Sequence, residues 1–329
     1  MKFHILLVLI LIQLFSIEAI SQLKESELND VFQVYGFVKG QEYSLDRIKE
    51  QFPEYAINVT KSKAEFNSKF RSSISNLEAE LIDLIGSEYF SEYKLSLDKE
   101  LEKLLSQQQL SNQDVQAFFE EVTSRSNGNI QSPILQYLLY YKFKEKPHQE
   151  FLQDYNQEFF TKGHSKSKGT DIKFKIPISW KAEEADRPNI IQKFTNRNGN
   201  GTATIMLIVK TIPLEPGEKF TEEEIDDFFV ESEIKDMIPE GGEFISFRKE
   251  NYDQHKGGAI EFFHEQTNMG IRIGMRTIQN IFIYGNKMCF LQCSVGGKAN
   301  GTQFESEIKK YRLLFDLVAE SLVELSQYK

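Results

Sequence analysis

Arg272 and Arg276 stand four residues apart in the alternating run Ile271-Arg272-Ile273-Gly274-Met275-Arg276. In an extended strand that spacing sets both guanidinium groups on one face, with Gly274 between them and Ile271, Ile273 and Met275 opposite. Two planar forks of N–H donors over open space could hold a carboxylate or a phosphate. Pairing with Glu261, or with another acid on a neighbouring strand, would occupy the same groups without a ligand. Arg272 and Arg276 are the ligand-binding candidates of this sequence.

Other constellations fail on spacing. The strained elbow Gly-x-Ser-x-Gly that exposes a nucleophilic serine is missing, and its nearest fragment, Gly163-His164-Ser165-Lys166-Ser167, lacks the second glycine. His264-Glu265-Gln266-Thr267-Asn268 lacks the second imidazole of a zinc helix. Gly199-Asn200-Gly201 runs into a strand at Ala203, where no helix dipole can cradle a phosphate, and reads as a turn. His148, His164, His255 and His264 are scattered. The run Glu222-Glu223-Glu224-Ile225-Asp226-Asp227 reads as a solvated helix start without the spacing of a calcium loop. No catalytic residue, no metal site and no cofactor is expected.

The two cysteines, Cys289 and Cys293, fall in an apolar run read as a strand. Four extended residues separate them by about 13 Å, outside the roughly 4.4–6.8 Å window of a disulfide, so both are expected as buried thiols packed like small hydrophobes.

The elements that must carry these residues change character midway. Met1-Lys2 and the apolar stretch Ile5 to Ile12 read as an export signal over residues 1–21, too short to cross a bilayer as a helix, with cleavage before Gln22. Residues 22–162 show helical periodicity, as in Phe66, Phe70, Ile74, Leu77, Leu81 and Ile85, with Gly86 as a stop. Ser111 with Asp114 forms a capping box, Asn127-Gly128 a turn, and Ser132-Pro133 the next start. Pro147 separates a last helix carrying Phe151, Tyr155 and Phe159. The glycine-flanked segment 163–170 is expected to be a linker whose lysines keep it solvated.

From 171 to 329 the period falls to two, with strands expected at 172–177, 203–210, 244–249, 259–265, 270–284 and 287–295. Ile205 to Val209 is apolar on both faces, as a strand covered on both sides would be, and Gly285-Asn286 marks a hairpin. Thr221 with Glu224 and Thr302 with Glu305 open two helices, the second bearing one stripe from Phe304 to Leu322 that should lie on the sheet.

Residues 170–329 resemble the PsbP-like superfamily, which includes an extrinsic photosystem II protein and DcrB-like envelope proteins. The resemblance rests on Pro177-Ile178-Ser179-Trp180 after a strand, the hairpin closing with Lys287-Met288-Cys289-Phe290-Leu291, and a final helix with Phe315 and Ser321-Leu322. It implies an α/β/α sandwich around a mostly antiparallel sheet, with binding or scaffolding duties and no shared catalytic residue. Residues 23–161 resemble no family.

The net charge of -10 excludes nucleic acid as a natural partner. The expected function is an exported, non-catalytic accessory or binding protein, periplasmic or secreted, with an envelope protein as partner and no membrane span after signal cleavage. The alternative is a small-ligand (anion) receptor or a hydrolase, its pocket between the domains or over Arg272 and Arg276. The sequons at Asn58, Asn200 and Asn300 matter only in a glycosylating host.

Overall fold

The computed structural model describes residues 22–328 apart from 107, 130–131, 216–217, 219, 269–270 and 299–302. The signal segment, its cleavage point, the cap at Thr302 and the sequon at Asn300 lie outside the described residues. The chain divides into two compact units between Lys144 and Glu145.

The first unit is helical: α1 (Gln22–Gln51), α2 (Ala56–Ile85), α3 (Ser87–Ser106), α4 (Asn112–Ser126) and α5 (Pro133–Phe143). α2 and α3 each bury one stripe, Phe66, Phe70, Leu77 and Leu81 on α2 and Phe90, Tyr93, Leu97 and Leu101 on α3, whereas α5 is buried on most of its circumference. The expected stops and starts are in place. Gly86 ends α2 at φ +84, where a side chain would be strained, and its N–H reaches the Ile82 carbonyl at 2.8 Å. Ser111 and Asp114 close their capping box, and the Ser132 hydroxyl accepts from the Leu135 N–H at 3.2 Å.

The second unit corrects two expectations. The helix after Pro147 is only α6 (His148–Leu152), and the chain then turns at Asp154 into β1 (Asn156–Phe160), which pairs antiparallel with β2 (Ile172–Pro177). Phe151, Tyr155 and Phe159 are spaced by four, an interval that stacks side chains on one face of a helix or of a strand alike. Tertiary pairing decides: Phe159 packs edge-on to Phe174 and Phe194, with centroids 5.5 and 5.3 Å away. Segment 163–170 therefore connects two paired strands inside this unit. It is ordered by its own bonds, Thr170 Oγ1 to the Ser167 carbonyl at 2.7 Å and Thr161 Oγ1 to the Thr170 carbonyl at 2.9 Å. Its lysines are engaged, Lys166 with Glu184 at 3.4 Å and Lys168 with Asn189 Oδ1 at 2.6 Å.

The main sheet joins β3 (Lys181–Glu183), β4 (Ile190–Thr195), β5 (Ala203–Thr211), β6 (Glu243–Tyr252), β7 (His255–Asn268), β8 (Ile271–Tyr284) and β9 (Lys287–Lys298) in the order β3-β4-β5-β9-β8-β7-β6. Every pairing among the described residues is antiparallel, and the β8–β9 hairpin turns at Gly285-Asn286 as expected. Between β5 and β6 the chain crosses one face through α7 (Glu222–Phe228) and α8 (Glu231–Lys235); α9 (Gln303–Glu320) covers the other. After α9, β10 (Val323–Glu324) joins β2 on the side opposite β1. A helical region thus precedes an α/β/α sandwich around an antiparallel sheet.

Beneath α9 lies the larger core. Phe194, Ile205, Cys293 and Ile278 follow one another across β4, β5, β9 and β8 and meet Ile308, Tyr311, Leu314, Phe315 and Val318. Trp180, at the end of the Pro177-x-x-Trp motif, is buried there edge-on to Tyr311 and Phe315, with centroids 6.1 and 6.4 Å away. Glu150 of α6 anchors the same turn, accepting from Ser179 N at 2.8 Å and Ser179 Oγ at 2.6 Å.

Candidate functional site: a cleft on the sheet

The expectation that β5 is covered on both sides holds for one face only. Ala203, Ile205, Leu207 and Val209 are fully buried, whereas Thr204, Met206 and Ile208 on the opposite face are half-buried and line a cleft of about 1410 Å³. The cleft follows from topology. The crossover helices are short, 7 and 5 residues, and Phe229 and Ile234 seat them over Ile260, Phe262 and Ile281. The rest of that face stays open between Met237 and Pro239 on one side and the 183–187 connection on the other.

Strand register builds the floor. One row runs Lys193, Met206, Gln292 and Gln279 across β4, β5, β9 and β8. The next runs Thr204, Ser294, Thr277 and Phe262. Ser294 and Thr277 are buried and share a hydroxyl hydrogen bond of 2.9 Å. Ile208, Phe290, Met275 and Met237 supply apolar walls. Charges of both signs stand around the mouth: Lys193 lies 4.0 Å from Glu183, Lys210 sits 5.2 Å over the Phe290 ring, and Asp186, Arg187 and Asp236 are exposed. His264 also lines the cleft. Burial pulls its pKa down, favouring the neutral imidazole, and its Nδ1 is buried without a hydrogen-bond partner. The one serine of the described floor, Ser294, is buried with its hydroxyl bonded to Thr277, away from any base that could activate it, and no cysteine is among the described lining residues.

Arg276 points to the other face, where alternation put it. Its Nε donates to Glu261 at 2.9 Å and its NH1 to Glu305 at 2.7 Å, while Arg272 pairs with Glu265. Gly274 lies between them, but the space above it is filled. A Cβ there would come within 2.8 Å of Phe304 Cζ and 3.0 Å of the Phe263 ring. An anion on that face would have to displace these carboxylates and rings. The structure brings Arg276, Glu261, Glu305 and Arg312 together in a brace between β7, β8 and α9, and leaves Arg272 exposed at the side.

The cleft was hidden in the sequence. Thr204, Gln292, Thr277 and Gln279 fall on one face of β5, β9 and β8, opposite the apolar face that meets α9, and that alternation is the signal that could have found it. Cys289 and Cys293 sit on β9 facing α9, both free and buried; burial pushes the Cys289 thiol up to about 12 and raises Cys293 further. Among the described residues, no group of three or more His, Cys, Asp or Glu is placed to hold a metal ion. No described helix is long and apolar enough to cross a membrane.

No protein-family model matches the chain, and no curated protein matches it. Among solved structures, cyanobacterial PsbP (CyanoP) from Synechocystis aligns over 51% of this chain and 92% of its own, at 14% identity and a TM-score of 0.33. LpqN, involved in cell envelope biogenesis of Mycobacterium tuberculosis, aligns over 54% of this chain and 96% of its own, at 12% identity and a TM-score of 0.31. Likeness at that level fixes neither family nor activity.

Proposed function

We propose that the protein is an exported, non-catalytic accessory protein of the cell envelope whose second unit binds a partner in the cleft over β5, β9 and β8. One observation carries the reading: part of the sheet face that carries the crossover helices is left open, apolar in its walls and furnished with a few polar groups. Such a lining holds and orients an occupant. Among the described residues the cleft supplies no paired nucleophile and base with which to transform one. The export signal expected at residues 1–21 supports the compartment.

The test is comparative capture. The mature protein and a Met206→Trp variant, which projects an indole into the cleft, are each used as bait in an extract of the native envelope. The reading predicts a partner retained by the first and lost by the second at equal melting midpoints. Equal retention moves the partner to another surface and refutes the role of the cleft. A hydrolytic activity abolished by His264→Ala refutes the non-catalytic assignment.

A further inference from the structure

Gln279 narrows the chemistry of whatever fills the cleft. The residue is only 9% exposed, it lines the floor, and its carboxamide has no hydrogen-bond partner among the described residues. Among the described residues its neighbour across the strands, Gln292, reaches only Ser294 Oγ, at 3.5 Å, and that hydroxyl is already bonded to Thr277. The floor therefore offers amide donors and acceptors toward the cleft.

An acyl chain laid on this floor would strip water from the amides and return nothing, a loss of about tenfold or more in affinity. An extended peptide supplies what is missing. Each of its residues carries one N–H and one C=O that, in an extended chain, point to the same side, and a carboxamide answers both, closing a two-bond ring with the N–H and C=O of a single residue. Side chains alternating along such a segment would meet Met206, Met275, Phe262 and Phe290, and the flexible thioethers adapt to varied shapes. The lining carries both signs in balance, Arg187, Lys193, Lys210 and Arg272 against Glu183, Glu184, Asp186 and Asp236, so it favours neither a strongly charged peptide nor an anionic head group.

We propose that the cleft binds an extended, apolar, near-neutral peptide segment of a partner protein, with the Gln279 carboxamide paired to the backbone N–H and C=O of one residue of that segment. This rests on the cleft being the binding site. A phage-displayed random peptide library is selected on the mature protein, and a recovered peptide is labelled and titrated by fluorescence polarisation against wild type, Gln279→Leu and Met206→Trp. Fluorescent palmitate serves as a second probe.

The expected result is an apolar consensus, binding weakened about tenfold by Gln279→Leu and abolished by Met206→Trp, and no competition by palmitate. The melting midpoint of free Gln279→Leu stays unchanged or rises, because an unpartnered amide has been removed. A lowered midpoint makes Gln279 a structural residue and overturns the inference. Failure to recover any peptide overturns it too, as does palmitate binding that Gln279→Leu strengthens; both leave the cleft as a site if envelope capture still depends on Met206. Capture indifferent to Met206→Trp overturns the functional reading beneath it as well.

Discussion

Arg312 of α9 donates to both carboxylate oxygens of Glu261 on β7, at 2.7 and 2.8 Å. Arg276 of β8 reaches the same group at 2.9 Å, so one buried carboxylate fastens the last long helix to two strands of the sheet. Burial by itself pushes the Glu261 pKa up; the hydrogen bonds and charges of Arg312 and Arg276 outweigh it, and the net shift is downward.

Glu261→Gln removes the charge that both arginines face, and the second unit should lose about 2 kcal/mol of stability. The effect is moderated because the Arg312 side chain is 37% exposed and can turn to water. A carboxylate with a depressed folded pKa stabilises fully above its unfolded value of about 4.3 and stops doing so as pH falls through the lower folded value. The gap between wild type and variant in urea midpoint should therefore be wide at neutral pH and close on acidification. A gap that widens toward acid would contradict the assignment.

Gly274 is required by close approach and not by backbone conformation. Gly274→Val would drive its branches into Phe304 and Phe263, whose rings lie 5.3 Å apart, and should cost about 1–3 kcal/mol by overpacking. Truncating the ring in the same chain, Gly274→Val with Phe304→Ala, should cost less than the two single losses summed. Strict additivity in thermal unfolding would show that the contact does not limit the site.

Cys289 and Cys293 face α9 with raised thiol pKa values, so little thiolate is present at neutral pH. Ellman's reagent should leave both unmodified in native buffer and titrate both once urea passes the unfolding midpoint. Prompt native reaction would mean that α9 lifts from the sheet readily.

Much of this architecture was legible because local signals agreed with one another. The capping boxes at Ser111 and Thr221, the stop at Gly86 and the hairpin at Gly285-Asn286 each satisfy backbone groups whatever the tertiary context. The misreadings have physical origins. β4 escaped notice because its register shifts between Ile190 and Gln192, so Ile191 and Phe194, an odd interval apart, enter the same core and the period of two disappears. The boundary fell at Lys144 instead of 163–170 because a spacing of four suits a helix and a strand equally, and a glycine-rich, lysine-rich loop looks the same inside a hairpin as between domains. The cleft was invisible because Met206 is as apolar as any core residue, and the shortness of α7 and α8 leaves it uncovered while Ile208 beside it packs against their core.

The methionines offer the most direct test of the cleft. Met206, Met237 and Met275 line it, whereas Met288 packs under the crossover helices outside it. In protein carrying carbon-labelled methionine methyl groups, saturation with the selected peptide should shift the signals of Met206, Met237 and Met275 and leave Met288 in place. Saturated binding with Met206 and Met275 unmoved would contradict the account.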